Sequence, residues 1–321
     1  MKPYLIFMVS AGLILLSIGI ASLYYSVNFE GRRTQDEILE IPKGTSAQKT
    51  CEILSEAQIT PHPWVCLLGG TLFGNLRSLQ AGEYEISKNA SFLDAVKKIT
   101  RGEVVVYQIT MPEGLTSYEI VERLKTLPKL EGEISEVPNE GSLFPSTYAY
   151  KKGEARGSLI QKMQTEMTRL TTQLWENRNP GLLLQSREEM ISLAALIEKE
   201  TALAPERPLV SAVFYNRLKL GMPLQCDPTV VYAISNGTGK LDRELSRADL
   251  KVEHPLNTYV NKGLPPGAIA NPGIAALKAA LNPAPVAYLY FVADGTGGHH
   301  FSETLQAHQK NHQAWRKIRN K

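Results

Sequence analysis

An α+β protein carried behind one membrane-spanning helix is the class this sequence predicts. Three observations predict it: residues 4–27 contain no charged side chain, strand-like and helical stretches alternate from Ile38 to Thr110, and a 3.6-residue apolar period takes over after Tyr150. The 321 residues leave room for about two domains at roughly 150 residues each. With 43% hydrophobic and 21% charged residues, disorder, collagen and coiled coil are excluded for the bulk. Lys and Arg total 35 against 32 acidic residues, and the resulting charge of +3 is too small to call for a polyanion, so nucleic acid is not expected as a partner.

The run LIFMVSAGLILLSIGIASLYY, at about 1.5 Å per residue, is long enough to cross a hydrocarbon core of about 30 Å. It predicts a membrane helix over 4–27 behind a cytoplasmic head of residues 1–3, with Tyr4, Tyr24 and Tyr25 at the interfaces. Lys2 precedes the span while Arg32 and Arg33 follow it, so the inside position of the N-terminus rests on the short head rather than on charge bias. A cleaved signal peptide is the competing reading, because Gly19-Ile20-Ala21 resembles a small-x-small site; the apolar run continues past it to Tyr25, which favours an anchor.

Residues 28–36 (NFEGRRTQD) read as a polar linker, and 37–110 as a small α+β module. Ile38 to Ile41 give a strand, Pro42-Lys43-Gly44 a turn, and Cys51, Ile53 and Leu54 mark a helix. The same order recurs from Tyr107, where Pro112 and Gly114 align with Pro42 and Gly44 ahead of a helix through Ile120, Val121 and Leu124, making 111–150 a connecting unit. Between these repeats, Tyr84 and Ile86 form a strand, and Ser91 with Asp94 offers an N-cap and a first-turn acid for a helix through Val96 and Ile99.

The remainder, 151–321, is predicted mainly helical with a few strands. Leu159 to Leu174 form one amphipathic helix stopped by Asn179-Pro180-Gly181, followed by helices over 186–201, 206–220 and 273–281. A strand over Tyr288–Val292 precedes a last helix with Ser302 as candidate N-cap and a basic C-terminal end through Lys321.

Within ISLAALIEKET, a helical projection turns Glu200 into the apolar stripe with Leu193, Leu196 and Ile197, and turns Glu198 and Lys199 out of it. A carboxyl facing apolar surface loses hydration when charged, so its pKa rises and it can hold a proton as a general acid at neutral pH. Glu200 is therefore the catalytic candidate, against a structural ion pair with Arg207 or Arg217; Glu198 with Lys199 is expected to be a solvated pair. In FYNRLKLGMPLQCDPTVVYA, polar Asn216, Arg217, Gln225 and Asp227 interrupt an apolar run, and amides suit sugar hydroxyl and acetamido groups. Asp227 before Pro228 could equally cap a turn. Asn257, Thr258 and Tyr259 open a loop stiffened by Pro265, Pro266 and Pro272, which suits a groove wall, although Tyr259 could be core.

His308 and His312 have helical metal-ligand spacing but no acidic third ligand at motif distance, so no metal is expected. No GxSxG, GxGxxG or phosphate-binding loop occurs, and no cofactor is implied. Cys51, Cys66 and Cys226 cannot all pair within one chain; a Cys51–Cys66 bridge is allowed.

The motifs EGSLFPSTY (140–148), LIEKET (196–201), FYNRLKLGMPLQCDPTVVYA (214–233), LSRADL (245–250), NTYVNKGLPPGAIANPG (257–273) and YLYFVADGTGGHHF (288–301) together resemble the endolytic murein transglycosylases, the MltG (YceG-like) family. The resemblance runs from about Ile38 onward. It implies a single-pass inner-membrane anchor, a LysM-like module over 37–110, and a periplasmic catalytic domain similar to lytic transglycosylases. The implied activity cleaves the β-1,4 bond between N-acetylmuramic acid and N-acetylglucosamine and leaves 1,6-anhydromuramyl ends, limiting nascent strands. The family's catalytic glutamate falls on Glu200, with Asn216, Gln225, Asp227, Asn257 and Tyr259 expected to hold the glycan. Peptidoglycan strands, and peptidoglycan synthases beside them, are the implied partners. Cys226 stands where relatives often carry a small hydroxyl residue, and is expected to be a buried, dispensable thiol. The rival classes are a conventional glycosidase using Glu200 with Asp227, and a non-catalytic peptidoglycan-binding protein.

Overall fold

The computed structural model describes residues 3–28 and 33–319. The expected head, linker and basic tail therefore fall partly on residues 1–2, 29–32 and 320–321, outside the described ones. The uncharged run forms helix α1, Pro3–Asn28, of which Ile6–Asn28 is long and apolar enough to cross a membrane. Two compact units follow from the tertiary contacts, one made of residues up to Tyr107 with Ala149–Glu154, the other of Gln108–Tyr148 with Ala155 onward.

In the first unit, β1 (Glu37–Ile41) and β2 (Gly82–Ile86) pair antiparallel with Leu39 opposite Tyr84. Alternation turns Leu39, Ile41, Tyr84 and Ile86 to one buried face. Helices α2 (Ala47–Glu56) and α4 (Phe92–Arg101) contribute Cys51, Leu54, Phe92, Val96 and Ile99 to the same core. The expected Ser91–Asp94 start of α4 is a reciprocal capping box, and Gly102 ends the helix at φ 65°. Helix α3 (Pro63–Leu72) was not legible: PWVCLLGGTL is apolar all round, so it carries no helical period. Cys51 of α2 and Cys66 of α3 are joined as a disulfide, with Cα atoms 5.5 Å apart.

The repeat read from Pro42-x-Gly44 and Pro112-x-Gly114 is conformational as well. Gly44 and Gly114 both take left-handed φ values, 78° and 76°, and Ser46 and Thr116 cap the following helices at the same offset. In the second repeat β3 (Tyr107–Thr110) leads to α5 (Ser117–Lys125), and a two-residue strand β4 (Leu130–Glu131) follows. Strand β5 (Thr147–Tyr150) pairs with β3, ahead of a second two-residue strand, β6 (Glu154–Ala155).

The second unit is built on α7 (Arg187–Glu200), started by Ser186, whose hydroxyl accepts from Glu189 N. Met190, Leu193, Ala194, Leu196 and Ile197 are fully buried where α7 meets α6 (Arg156–Glu176), α8 (Arg207–Lys219), α9 (Asp227–Ile234) and α10 (Ile274–Leu281). The hairpin β7 (Tyr290–Ala293) and β8 (His299–Ser302) sets Phe291 opposite Phe301, and α11 (Leu305–Arg319) packs on it. Ser302 is not the cap of α11: it is buried in β8, and Thr304 accepts from Ala307 N instead.

Candidate active site

Glu200 is the last residue of α7. Thr201 is extended, at φ −146° and ψ 133°, so the backbone leaves the helix at once and the glutamate projects from its end. The residue as a whole is half-buried, and its carboxyl makes no ion pair among the described residues. Its two candidate partners are engaged elsewhere. Arg207 lies 3.0 Å from Glu198 and 3.7 Å from Glu113, while Arg217 donates to the carbonyls of Leu289 (2.7 Å) and Leu224 (2.9 Å). Burial pushes the Glu200 carboxyl up to about 7, and the charge of Asp227 pushes the same way against a hydrogen bond from Cys226 and the charges of His299 and Arg217. The negative pole at the end of α7 adds to the rise.

The facing wall is the start of α9. The Cys226 thiol is buried and free, and burial pushes its pKa far above the usual thiol range, so it meets Glu200 as an S–H donor. Asp227 is the first residue of α9 and accepts a hydrogen bond from the Tyr259 hydroxyl. Burial, and then Asp227, push the Tyr259 phenol above its ordinary range, which keeps it a donor. Thr258 places this wall: its carbonyl accepts from Gln225 N at 3.1 Å, and its hydroxyl accepts from Cys226 N at 3.0 Å and lies 3.0 Å from the Thr229 hydroxyl. Gln225 takes a left-handed φ of 53°, sparsely allowed for a residue with a Cβ, which gives the chain its abrupt entry into α9.

Glu200, Asp227 and Tyr259 thus come together, with exposed Gln225 beside them accepting from Arg217 at 3.4 Å. Two expected sugar ligands are corrected. Both amide hydrogens of Asn216 are spent on the carbonyls of Val286 and Tyr288, each at 2.9 Å, and the residue lines a separate cleft with Tyr215, Lys219 and Pro283. Asn257 is fully buried, donating to Leu250 and Val252 carbonyls and accepting from Tyr259 N, so it shapes the loop that carries Tyr259. Asp227 itself lines a cleft of about 250 Å³ with Lys199, Tyr232 and Thr116.

The expected solvated pair Glu198–Lys199 is also corrected. The Glu198 side chain is 5% exposed, pairs with Arg207, and accepts from Gly273 N at 2.8 Å at the N-terminus of α10. The helix projection missed this because a polar neighbour, not solvent, covers that face. Lys199 is exposed and donates to the Gly114 carbonyl at 3.2 Å.

Two further arrangements had no linear signal. His299 Nδ1 lies 2.7 Å from Glu206, which also accepts from the Thr201 hydroxyl at 2.8 Å, tying the start of β8 to the turn that follows Glu200. Glu140 is a second carboxyl pushed up to about 7 by burial. Its acceptor positions are filled by Ser117 N at 3.0 Å, by Asn271 at 3.4 Å and by Tyr232, so it caps α5 and has a structural task that Glu200 lacks. Among the described residues no group of three or more His, Cys, Asp or Glu converges as metal ligands; His308 stacks on Tyr290 with ring centroids 5.1 Å apart.

A mixed helical and stranded fold thus ends one buried helix on a glutamate whose pKa burial raises, a property that general acid–base chemistry requires. The model of the YceG-like family matches residues 39–314, and the chain belongs to that family. It is 30% identical over 308 residues, covering 85% of this chain and 82% of the relative, to a Bacillus subtilis (strain 168) protein named endolytic murein transglycosylase. A protein of the same name from Streptococcus pneumoniae serotype 2 is 29% identical over 84% of this chain, which spans 57% of that longer relative. The 2.6 Å crystal structure of a yceG-like protein from Listeria monocytogenes aligns with a TM-score of 0.53 and 29% identity, over 87% of this chain and 99% of that one.

Proposed function

We propose that the chain is an endolytic peptidoglycan lytic transglycosylase and that Glu200 is its acid–base residue. The observation that carries this is the Glu200 carboxyl, held near a pKa of 7 with no ion-pair partner among the described residues. Half of such groups hold a proton at neutral pH, which suits donation in one step and acceptance in the next. Glu200 gives its proton to the glycosidic oxygen as the bond between N-acetylmuramic acid and N-acetylglucosamine breaks. The resulting carboxylate takes the proton from the C6 hydroxyl, whose oxygen closes on C1 to leave a 1,6-anhydromuramyl end. Atoms balance without water, and no second catalytic carboxylate is required. Asp227, steadied by Tyr259, and the adjacent Gln225 face the glycan, Asp227 orienting a hydroxyl or acetamido group; Cys226 and Arg217 hold down the rise in the Glu200 pKa.

In this reading α1 anchors the chain in the inner membrane with the catalytic unit in the periplasm, and 37–110 is a LysM-like module that contacts glycan or spaces the site from the bilayer. Cutting nascent strands there would limit their length, and a tether raises the local concentration of enzyme beside peptidoglycan synthases. The test is to incubate the full chain in detergent, and its Glu200→Gln variant, with peptidoglycan and to identify new glycan ends by mass spectrometry. Anhydromuramyl ends made by the parent alone are expected. Reducing ends would instead assign hydrolysis with Asp227 as second carboxylate, and ends made equally by the variant would remove Glu200 from the chemistry.

A further inference from the structure

Helix α3 lies in a stretch without charge from Ala57 to Leu76, bounded by Glu56 and Arg77. Trp64, Leu68 and Leu72 recur every fourth residue and so share one face, and they are 62%, 47% and 57% exposed. The other side of α3 is fixed. Cys66 is bonded to Cys51, and Val65 and Cys66 are buried in the core of the first unit. Gly69 lies against α1 so closely that an added Cβ would stand 2.4 Å from Val27 Cγ1, and Tyr24 meets Phe73 edge-on at 5.5 Å. Leu23 and Val27 of α1 belong to the same buried core.

The apolar face of α3 is therefore continuous with the surface of the apolar span. A groove of about 540 Å³ runs between them, lined by Leu15, Ile20, Leu23, Trp64, Leu68 and Leu72. From Leu15 to Val27 the helix rises about 18 Å, more than half of a hydrocarbon core of about 30 Å. If α1 crosses a bilayer, α3 stands at the depth of one leaflet. Its composition suits that place. The backbone is internally hydrogen-bonded as a helix, Pro63 at its start has no N–H to satisfy, and the Thr71 hydroxyl donates to the Leu67 carbonyl at 2.6 Å.

We propose that α3 is immersed in the leaflet nearest the folded body, with Trp64, Leu68 and Leu72 against phospholipid acyl chains. The proposal rests on reading α1 as an anchor. The occupant is lipid because one wall of the groove is the span itself, which that reading already surrounds with hydrocarbon. The first unit is then held against the bilayer by two helices rather than swinging on one tether, which fixes its height.

The test uses the full chain in phosphatidylethanolamine–phosphatidylglycerol vesicles with and without brominated acyl chains. Subtracting the emission of a Trp64→Phe variant isolates Trp64 from the other two tryptophans, Trp175 and Trp315. The expected result is a blue-shifted Trp64 emission that falls about twofold with brominated lipid, and a loss of that quenching in a Leu68→Asp/Leu72→Asp variant. Alkaline carbonate extraction of the same vesicles reads the anchor separately. A chain that resists extraction while Trp64 is unquenched overturns immersion and leaves the anchor standing. In that case red-shifted emission means water on the face, and blue-shifted emission means a second copy covers it. Release by carbonate overturns both readings.

Discussion

Replacing Glu200 by Gln should stop turnover and yet stabilise the protein at alkaline pH. Folding raises the carboxyl from the ordinary 4.5 to about 7, and at about 1.4 kcal/mol for each tenfold change in proton affinity this corresponds to about 3 kcal/mol. Because the folded pKa is the higher one, the folded state binds the extra proton between these values. The side chain's contribution is then fully present below 4.5 and is lost as pH rises through about 7. Above that, the folded enzyme carries a poorly hydrated anion that the amide variant does not. Water reaching the half-buried residue reduces the effect to about 1–2 kcal/mol. For a unit of this size that is an increase in Tm of about 2–8 °C. Thermal unfolding of parent and variant in detergent, followed by circular dichroism at about pH 5 and about pH 8, reads it directly. The gain should be present at the higher pH and absent at the lower. A variant that is less stable than the parent by the same amount at both values would refute the reasoning, because it would mean that Glu200 serves the fold through hydrogen bonds its amide cannot replace.

Other consequences follow from the same geometry. Glu198→Gln should destabilise the second unit by about 3–5 kcal/mol, since it leaves buried Arg207 without its close partner; a loss below about 0.5 kcal/mol in urea titration would restore the solvated-pair reading. Cys226→Ala removes a hydrogen bond that favours the charged form of Glu200, so the alkaline limb of the pH–rate profile should move to higher pH with activity retained; an unmoved limb would separate the thiol from the site. Reduction of Cys51–Cys66, which are 15 residues apart, should cost the first unit about 3 kcal/mol and leave the unfolding of the second unchanged; coincident loss of both would contradict the division into two units. Tyr259→Phe should lower kcat about tenfold or more with the fold intact, by freeing Asp227 from its hydrogen bond; unchanged kinetics would make the tyrosine a packing residue.

Much of the architecture was written in local pattern. The Ser91–Asp94 start of α4, the paired Pro-x-Gly turns and the stop after α6 need only neighbouring residues, and each stands where the sequence put it; the caps at Ser46 and Thr116 were added by the structure. Helices α3 and α9 were not legible for opposite reasons: one is apolar on every side, and the other begins at Asp227-Pro228, a pair that reads as a turn until its N-terminus is seen packed against α7. The Ser302 cap failed because a strand, β8, claims that residue first.

At the site, the sequence by itself determined which face of α7 Glu200 occupies, since that depends only on the helical repeat, and burial then sets its acidity. What lies across from that face was decided by tertiary structure. Glu198 looked solvated because the projection cannot know that Arg207 and the amide of Gly273 close over it. Asn216 and Asn257 looked free because an amide in a polar run carries no mark of where its hydrogens go, and both are spent on carbonyls brought in by the folded chain. The identity of a side chain and its phase along a helix are local quantities. Hydrogen-bond satisfaction is settled only when distant segments compete for the same donors and acceptors, and that competition takes place in the folded state.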